Sequence, residues 1–140
     1  MTRRQNQSGF LLIEALVAML VFSLGILGLV ALQAVVIKET TNAQYRVEAS
    51  MLTNQLIAQM WAEDKTTLAT NFASPDGLRY LAWQADVVAS ATGGLRNAAA
   101  QPPTVVFGAN NQVTISIFWQ MPGAVAGSPF HQHVTMTQLQ

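Results

Sequence analysis

Phe10-Leu-Leu-Ile-Glu14-Ala-Leu-Val-Ala-Met-Leu-Val-Phe-Ser-Leu-Gly25-Ile-Leu-Gly28-Leu-Val-Ala-Leu-Gln33-Ala-Val-Val-Ile37 decides how this chain is organised. From Ala15 to Ile37 there is no charged side chain. Coiled as a helix, that run covers roughly 35 Å, enough for a hydrocarbon core of about 30 Å. The helix of a soluble core is the weaker alternative, because uncharged apolar runs of this length rarely occur without a bilayer. Arg3 and Arg4 are the only basic residues before Lys38. The positive-inside rule therefore predicts a single-pass protein with its N-terminus in the cytoplasm and the bulk of the chain outside.

The whole chain has 140 residues, room for one domain beyond the span. Apolar residues make up 51% and charged residues 10%, and the apolar excess lies in that first segment. Beyond Lys38 the mix is polar and rich in Gln and Thr. Seven Lys and Arg balance seven Asp and Glu, and no basic patch interleaved with aromatics occurs, so no nucleic-acid partner is expected. There is no cysteine, which excludes disulfides, thiolate metal sites and a Cys nucleophile.

A secretory signal peptide would have a shorter apolar region ending in a small-x-small cleavage site. Leu32 to Val36 offer no such site. Glu14 is also out of place in a signal peptide, since a carboxylate on the margin of a span needs a partner or a task. It could simply sit among lipid headgroups. Its company makes that reading weaker: Gly9-Phe10, then apolar residues, then Glu14 is a rare combination.

Ser8-Gly9-Phe10-Leu-Leu-Ile-Glu14-Ala-Leu-Val-Ala-Met-Leu is similar to the class III signal of type IV prepilins. Ser23-Leu-Gly25-Ile-Leu-Gly28-Leu-Val-Ala-Leu-Gln33 resembles the PilV-type minor pilins, the type IV pilus modification proteins. The resemblance covers the first quarter of the chain in sequence and the rest in layout. It implies a leader of residues 1–9, cut by prepilin peptidase between Gly9 and Phe10. Phe10 would be N-methylated by the same enzyme. Glu14 would pair with the new amine, usually that of a neighbouring subunit. The physical logic is consistent, because an ammonium in an apolar bundle is tolerable only when paired. Removing Arg3 and Arg4 would also ease extraction of the helix from the bilayer. Many major pilins carry a proline in mid-helix, where this chain has Ala31. Gly25 and Gly28 are then the points at which the helix can bend or melt, or alternatively where another helix packs closely in the membrane.

Neither Gly nor Pro occurs between Leu29 and Ser74, so nothing breaks the helix where the span ends. Tyr45, Ala49, Leu52, Leu56 and Met60 recur at helical spacing, widened by Ile57 and Trp61. One helix is predicted from about Leu11 to about Asp64, half in the membrane (residues 10–37) and half amphipathic, carrying an extracytoplasmic headpiece (38–140). A loop is expected over Thr66–Gly77 and a half-buried strand over Tyr80–Val88. A flexible connection is expected over Ala91–Pro103, a short strand at Val105–Phe107 and a turn at Asn110-Asn111. The clearest strand is Val113–Trp119, with Val113, Ile115, Ile117 and Trp119 on one face. A hairpin loop at Met121–Pro129 leads to a strand at His131–Leu139, with Val134 and Met136 opposite His133 and Thr135. The predicted class is α+β, pilin-like: a long N-terminal helix packed on a small antiparallel sheet.

His131 and His133 share a strand face at a spacing that can ligate metal, but no third ligand accompanies them. Glu63 and Asp64 read as a solvated helix end rather than an acid–base pair. No phosphate-binding glycine loop or nucleophile elbow occurs, so neither an enzyme nor a cofactor is expected. The resemblance implies a minor pilin in a tip or priming complex that promotes assembly of the pilus (fimbrium). Its partners would be the membrane, prepilin peptidase, other minor and major pilins, and the inner-membrane assembly platform. It would reside in the inner membrane and then the pilus at the cell surface. A type II secretion pseudopilin has the same leader and layout. A bitopic envelope protein whose headpiece binds a ligand is the reading from a different class. The loops at Thr66–Gly77 and Ala91–Pro103 are candidate contact surfaces.

Overall fold

The computed structural model describes residues 8–89 and 94–139. The chain is α+β. Helix α1 runs unbroken from Ser8 to Ala62, followed by the short α2 (Leu68–Phe72) and α3 (Leu78–Val88). Then come β1 (Thr104–Phe107), a 3-10 turn at Ala109–Asn111, β2 (Gln112–Trp119) and β3 (His131–Gln138). The chain divides into two compact units at Thr40/Thr41.

In the first unit no described residue covers the helix. Its large apolar side chains are 47–74% exposed from Phe10 to Ile37, and none of its most apolar window is buried in the chain. The helix is long and apolar enough to cross a membrane. Two of its hydroxyls turn inward to the backbone: Ser23 Oγ donates to the Met19 carbonyl at 2.7 Å and Thr40 Oγ1 to that of Val36 at 2.8 Å. That is how a hydroxyl is accommodated without water.

The second unit owns the core. Ala49, Leu56 and Met60 of α1 are buried together with Leu68 and Phe72, Tyr80, Trp83 and Val87, and the inner face of the sheet. Tyr45, Leu52 and Ile57 pack against them. Each fully buried large side chain contributes on the order of 1.5–3 kcal/mol. Trp61, expected to widen this stripe, is instead 54% exposed, because it falls one residue past the face that ends at Met60. Thr53 is buried within the stripe and satisfies its hydroxyl on the Ala49 carbonyl at 2.8 Å.

The strand expected over Tyr80–Val88 is the helix α3. The alternation of Leu81, Trp83, Ala85 and Val87 is coincidental. The residues that are buried, Tyr80, Trp83 and Val87, follow helical three- and four-residue spacing, and Leu81 and Ala85 face out. Leu, Ala, Gln and Arg in this stretch also favour helix. The loop expected over Thr66–Gly77 contains α2. Gly77 closes it against α3, where a Cβ would lie 2.5 Å from the Asn71 carbonyl oxygen.

Three antiparallel strands form the sheet in the order β1-β2-β3. Asn110 and Asn111 link β1 to β2 with φ of 57° and 56°, a left-handed conformation that asparagine tolerates. Val113, Ile115, Ile117 and Trp119 are fully buried on one face of β2, the alternation the sequence predicts. The connection expected to be flexible at Ala91–Pro103 is packed where it is described. Leu95 and Ala98 are buried, and backbone bonds tie Leu95 to Val87 and Gln120 to Arg96. Its residues 91–93 lie outside the described residues.

Candidate functional site

At the head of α1, Gly9, Phe10 and Glu14 occupy consecutive turns of one helix. Phe10 and Glu14 are four residues apart and share a face. Phe10 is 74% exposed, and Glu14 has no hydrogen bond or ion pair among the described residues. The chain thus presents a carboxylate beside an aromatic side chain, with apolar surface around both. Gly25 and Gly28 lie inside the unbroken helix, and a Cβ built on either would meet nothing within 4 Å. No contact among the described residues therefore requires glycine at these two positions, although they leave a shallow strip where a second helix could approach.

The acidic pair after α1 is used structurally. The Glu63 carboxylate accepts from Asn71 Nδ2 at 3.2 Å and lies 3.5 Å from the Arg79 guanidinium. Asp64 Oδ1 accepts from the Thr66 backbone N–H at 2.8 Å and from its hydroxyl at 2.7 Å. These two donors, the backbone N–H first, hold the Asp64 carboxyl below its usual pKa. Partial burial pushes the Glu48 carboxyl up.

His131 and His133 both point to the inner, half-buried face of β3. The His131 ring stacks on Trp119 with centroids 6.0 Å apart and planes at 18°. His133 Nε2 is 3.0 Å from Thr135 Oγ1. Among the described residues no group of three His, Asp or Glu converges to hold a metal. The Trp119 indole N–H is buried with no hydrogen-bond partner among those residues.

Two further surfaces were not apparent from the sequence. The outer side of α3 forms an open groove of about 260 Å³ lined by Leu81, Gln84, Ala85 and Val88, hidden by the strand reading of this stretch. The outer face of the sheet carries Val106, Val134 and Met136, all exposed, beside the half-buried Phe118. Val134 and Met136 do lie opposite His133 and Thr135 as expected, but the polar pair takes the inner side. The sequence shows the alternation of β3 but not which face turns inward, which follows from its place beside β2.

No protein-family model, no curated protein and no solved structure matches this chain.

Proposed function

We propose that this chain is a PilV-type minor pilin of a type IV pilus, matured by prepilin peptidase and acting in initiation or assembly of the fibre. The observation that carries the reading is Gly9-Phe10 with Glu14 one turn on, heading a helix whose apolar surface no described residue covers. Leaving that surface in water would forgo roughly 1.5–3 kcal/mol for each large side chain. A bilayer covers it first, and a bundle of like helices can cover it afterwards.

Cleavage after Gly9 removes Arg3 and Arg4 and creates an ammonium on Phe10. In a helix bundle that ammonium is costly unless a carboxylate lies within reach. Glu14 is unpaired within the described chain and available to the amine of a neighbour, setting the axial register between subunits. The headpiece from Thr41 onward holds its own core and stays outside the bilayer.

Mass spectrometry of the protein from cells containing the peptidase tests this. The expected mature chain begins at Phe10 and carries a methyl group on its amine. A chain that keeps residues 1–9 and is unmethylated in those cells overturns the reading.

A further inference from the structure

The two edges of the sheet are treated differently. In the β1–β2 ladder, Gly108 N–H bonds to Gln112 O at 2.7 Å, so with the observed register Val105 presents its N–H and C=O away from β2. Both are used: Ser74 N–H donates to the Val105 carbonyl and Val105 N–H donates to Ser74 Oγ, each at 3.1 Å. Pro103, just before the strand, has no N–H, and its carbonyl accepts the Tyr80 hydroxyl at 2.7 Å. That edge is closed at Val105 and at the strand's entry.

The β3 edge is open. Leu139 N–H donates to Asn111 O at 3.0 Å, which with the β2–β3 register turns the N–H and C=O of Gln132, Val134, Met136 and Gln138 outward. Among the described residues nothing bonds to these backbone groups. Proteins usually protect such an edge with Lys, Pro, a bulge or a covering segment. Among the described residues β3 has none of these, and no Asp, Glu, Lys or Arg occurs anywhere after Arg96. A surface made for water alone would carry charges on about a quarter of its residues. Beside the edge, Val134 and Met136 stand 45% and 67% exposed.

We propose that β3 accepts, as a fourth strand, an extended uncharged segment of a neighbouring filament subunit, with apolar side chains opposite Val134 and Met136. This rests on the filament reading and names the surface through which the headpiece joins it. Main-chain bonds to Gln132, Val134 and Met136 supply the attraction, and the outer apolar row selects the alternating pattern. The absence of charge means that pairing strands no ion away from water. A second copy of β3 is the other strand that fits. Antiparallel self-pairing in one sheet, however, needs a two-fold axis normal to it, which reverses every direction in its plane. Residues 41–62 of α1 share the core under that sheet, so self-pairing would run the two copies of this stretch in opposite senses, against the parallel packing of subunits that the filament reading requires.

The test uses the full chain. Hydrogen exchange of the detergent-solubilised protein should show fast amides at Val134 and Met136 and protected amides at His133 and Thr135. Slow amides at Val134 and Met136 in a dimer would make the occupant a second copy and overturn the proposal. In cells that assemble filaments, Val134→Pro, which removes one outward N–H, and Met136→Lys, which charges the outer row, should each lower the filament-incorporated share at least about tenfold. Val134→Thr should incorporate normally. Two different variants guard against a folding defect, which would appear as lost protection at Thr135. Normal incorporation of both Val134→Pro and Met136→Lys overturns the strand proposal. If Glu14→Ala is excluded from the same filaments, the filament reading survives that result.

Discussion

Trp83 donates its indole N–H to the carbonyl oxygen of Leu52 at 2.9 Å, pinning α3 to the C-terminal part of α1. Both side chains belong to the same core, with Trp83 buried and Leu52 packed at its margin. The indole stands 6.2 Å from the Tyr80 ring, tilted by 51°, and the Tyr80 hydroxyl reaches on to Pro103. Helix, helix and sheet edge are therefore joined through two neighbouring aromatic residues, each with its polar end satisfied.

Replacing Trp83 with Phe keeps most of the apolar volume and removes the bond. The expected loss is about 1 kcal/mol, with a cavity cost added where the indole's second ring stood. In a headpiece of this size that lowers the melting temperature by roughly 4–8 °C. Thermal unfolding followed by near-UV circular dichroism measures it. An unchanged melting temperature would show that the bond and the packing contribute nothing net.

Asp64 gives the headpiece a defined acid response. Its pKa is lowered in the folded state by the Thr66 N–H and hydroxyl. A lowered carboxyl pKa stabilises the fold above the unfolded value, near about 4, and the benefit disappears as pH falls through the folded value. Asp64→Asn should therefore be less stable than the wild type at neutral pH, and the difference should close in acid. Melting curves recorded from neutral pH down to below the folded value read this directly. A gap that stays constant across the series would remove the charge from the explanation.

Glu14 makes the sharpest prediction for assembly. Glu14→Ala removes a carboxylate that has no partner within the described chain, so the headpiece melting temperature should not change. Membrane insertion should also be intact, since the apolar run from Ala15 to Ile37 is untouched. Incorporation into filaments should fall at least about tenfold, because an ammonium left unpaired among apolar helices costs several kcal/mol. Fractionation of membranes and sheared filaments separates these outcomes, and full incorporation of the variant would remove the proposed pairing.

The legible parts of this fold are those in which one periodicity had no competitor. Ala15–Ile37 can only be an apolar helix, and Val113–Trp119 alternates so strictly that its buried face could be named residue by residue. Tyr80–Val88 was not legible in the same way, because Leu81, Trp83, Ala85 and Val87 alternate as well as Tyr80, Trp83 and Val87 repeat. Local propensity leans toward the second pattern, and the Leu52 carbonyl and the neighbouring core select it. The candidate leader site, Gly9, Phe10 and Glu14, is wholly a sequence feature, and its geometry adds only that the Phe10 and Glu14 side chains share a face with no described residue over them.

By itself the sequence determined that one long apolar helix precedes a small mixed headpiece, because hydropathy and helical period are properties of neighbours along the chain. The tertiary structure alone decided which backbone groups of the sheet remain free. That depends on Ser74 reaching Val105 across 31 residues while no described residue reaches the outer side of β3. Hydrogen bonds between distant segments leave no local pattern to read, so an open edge and a closed one look alike until the strands are placed side by side.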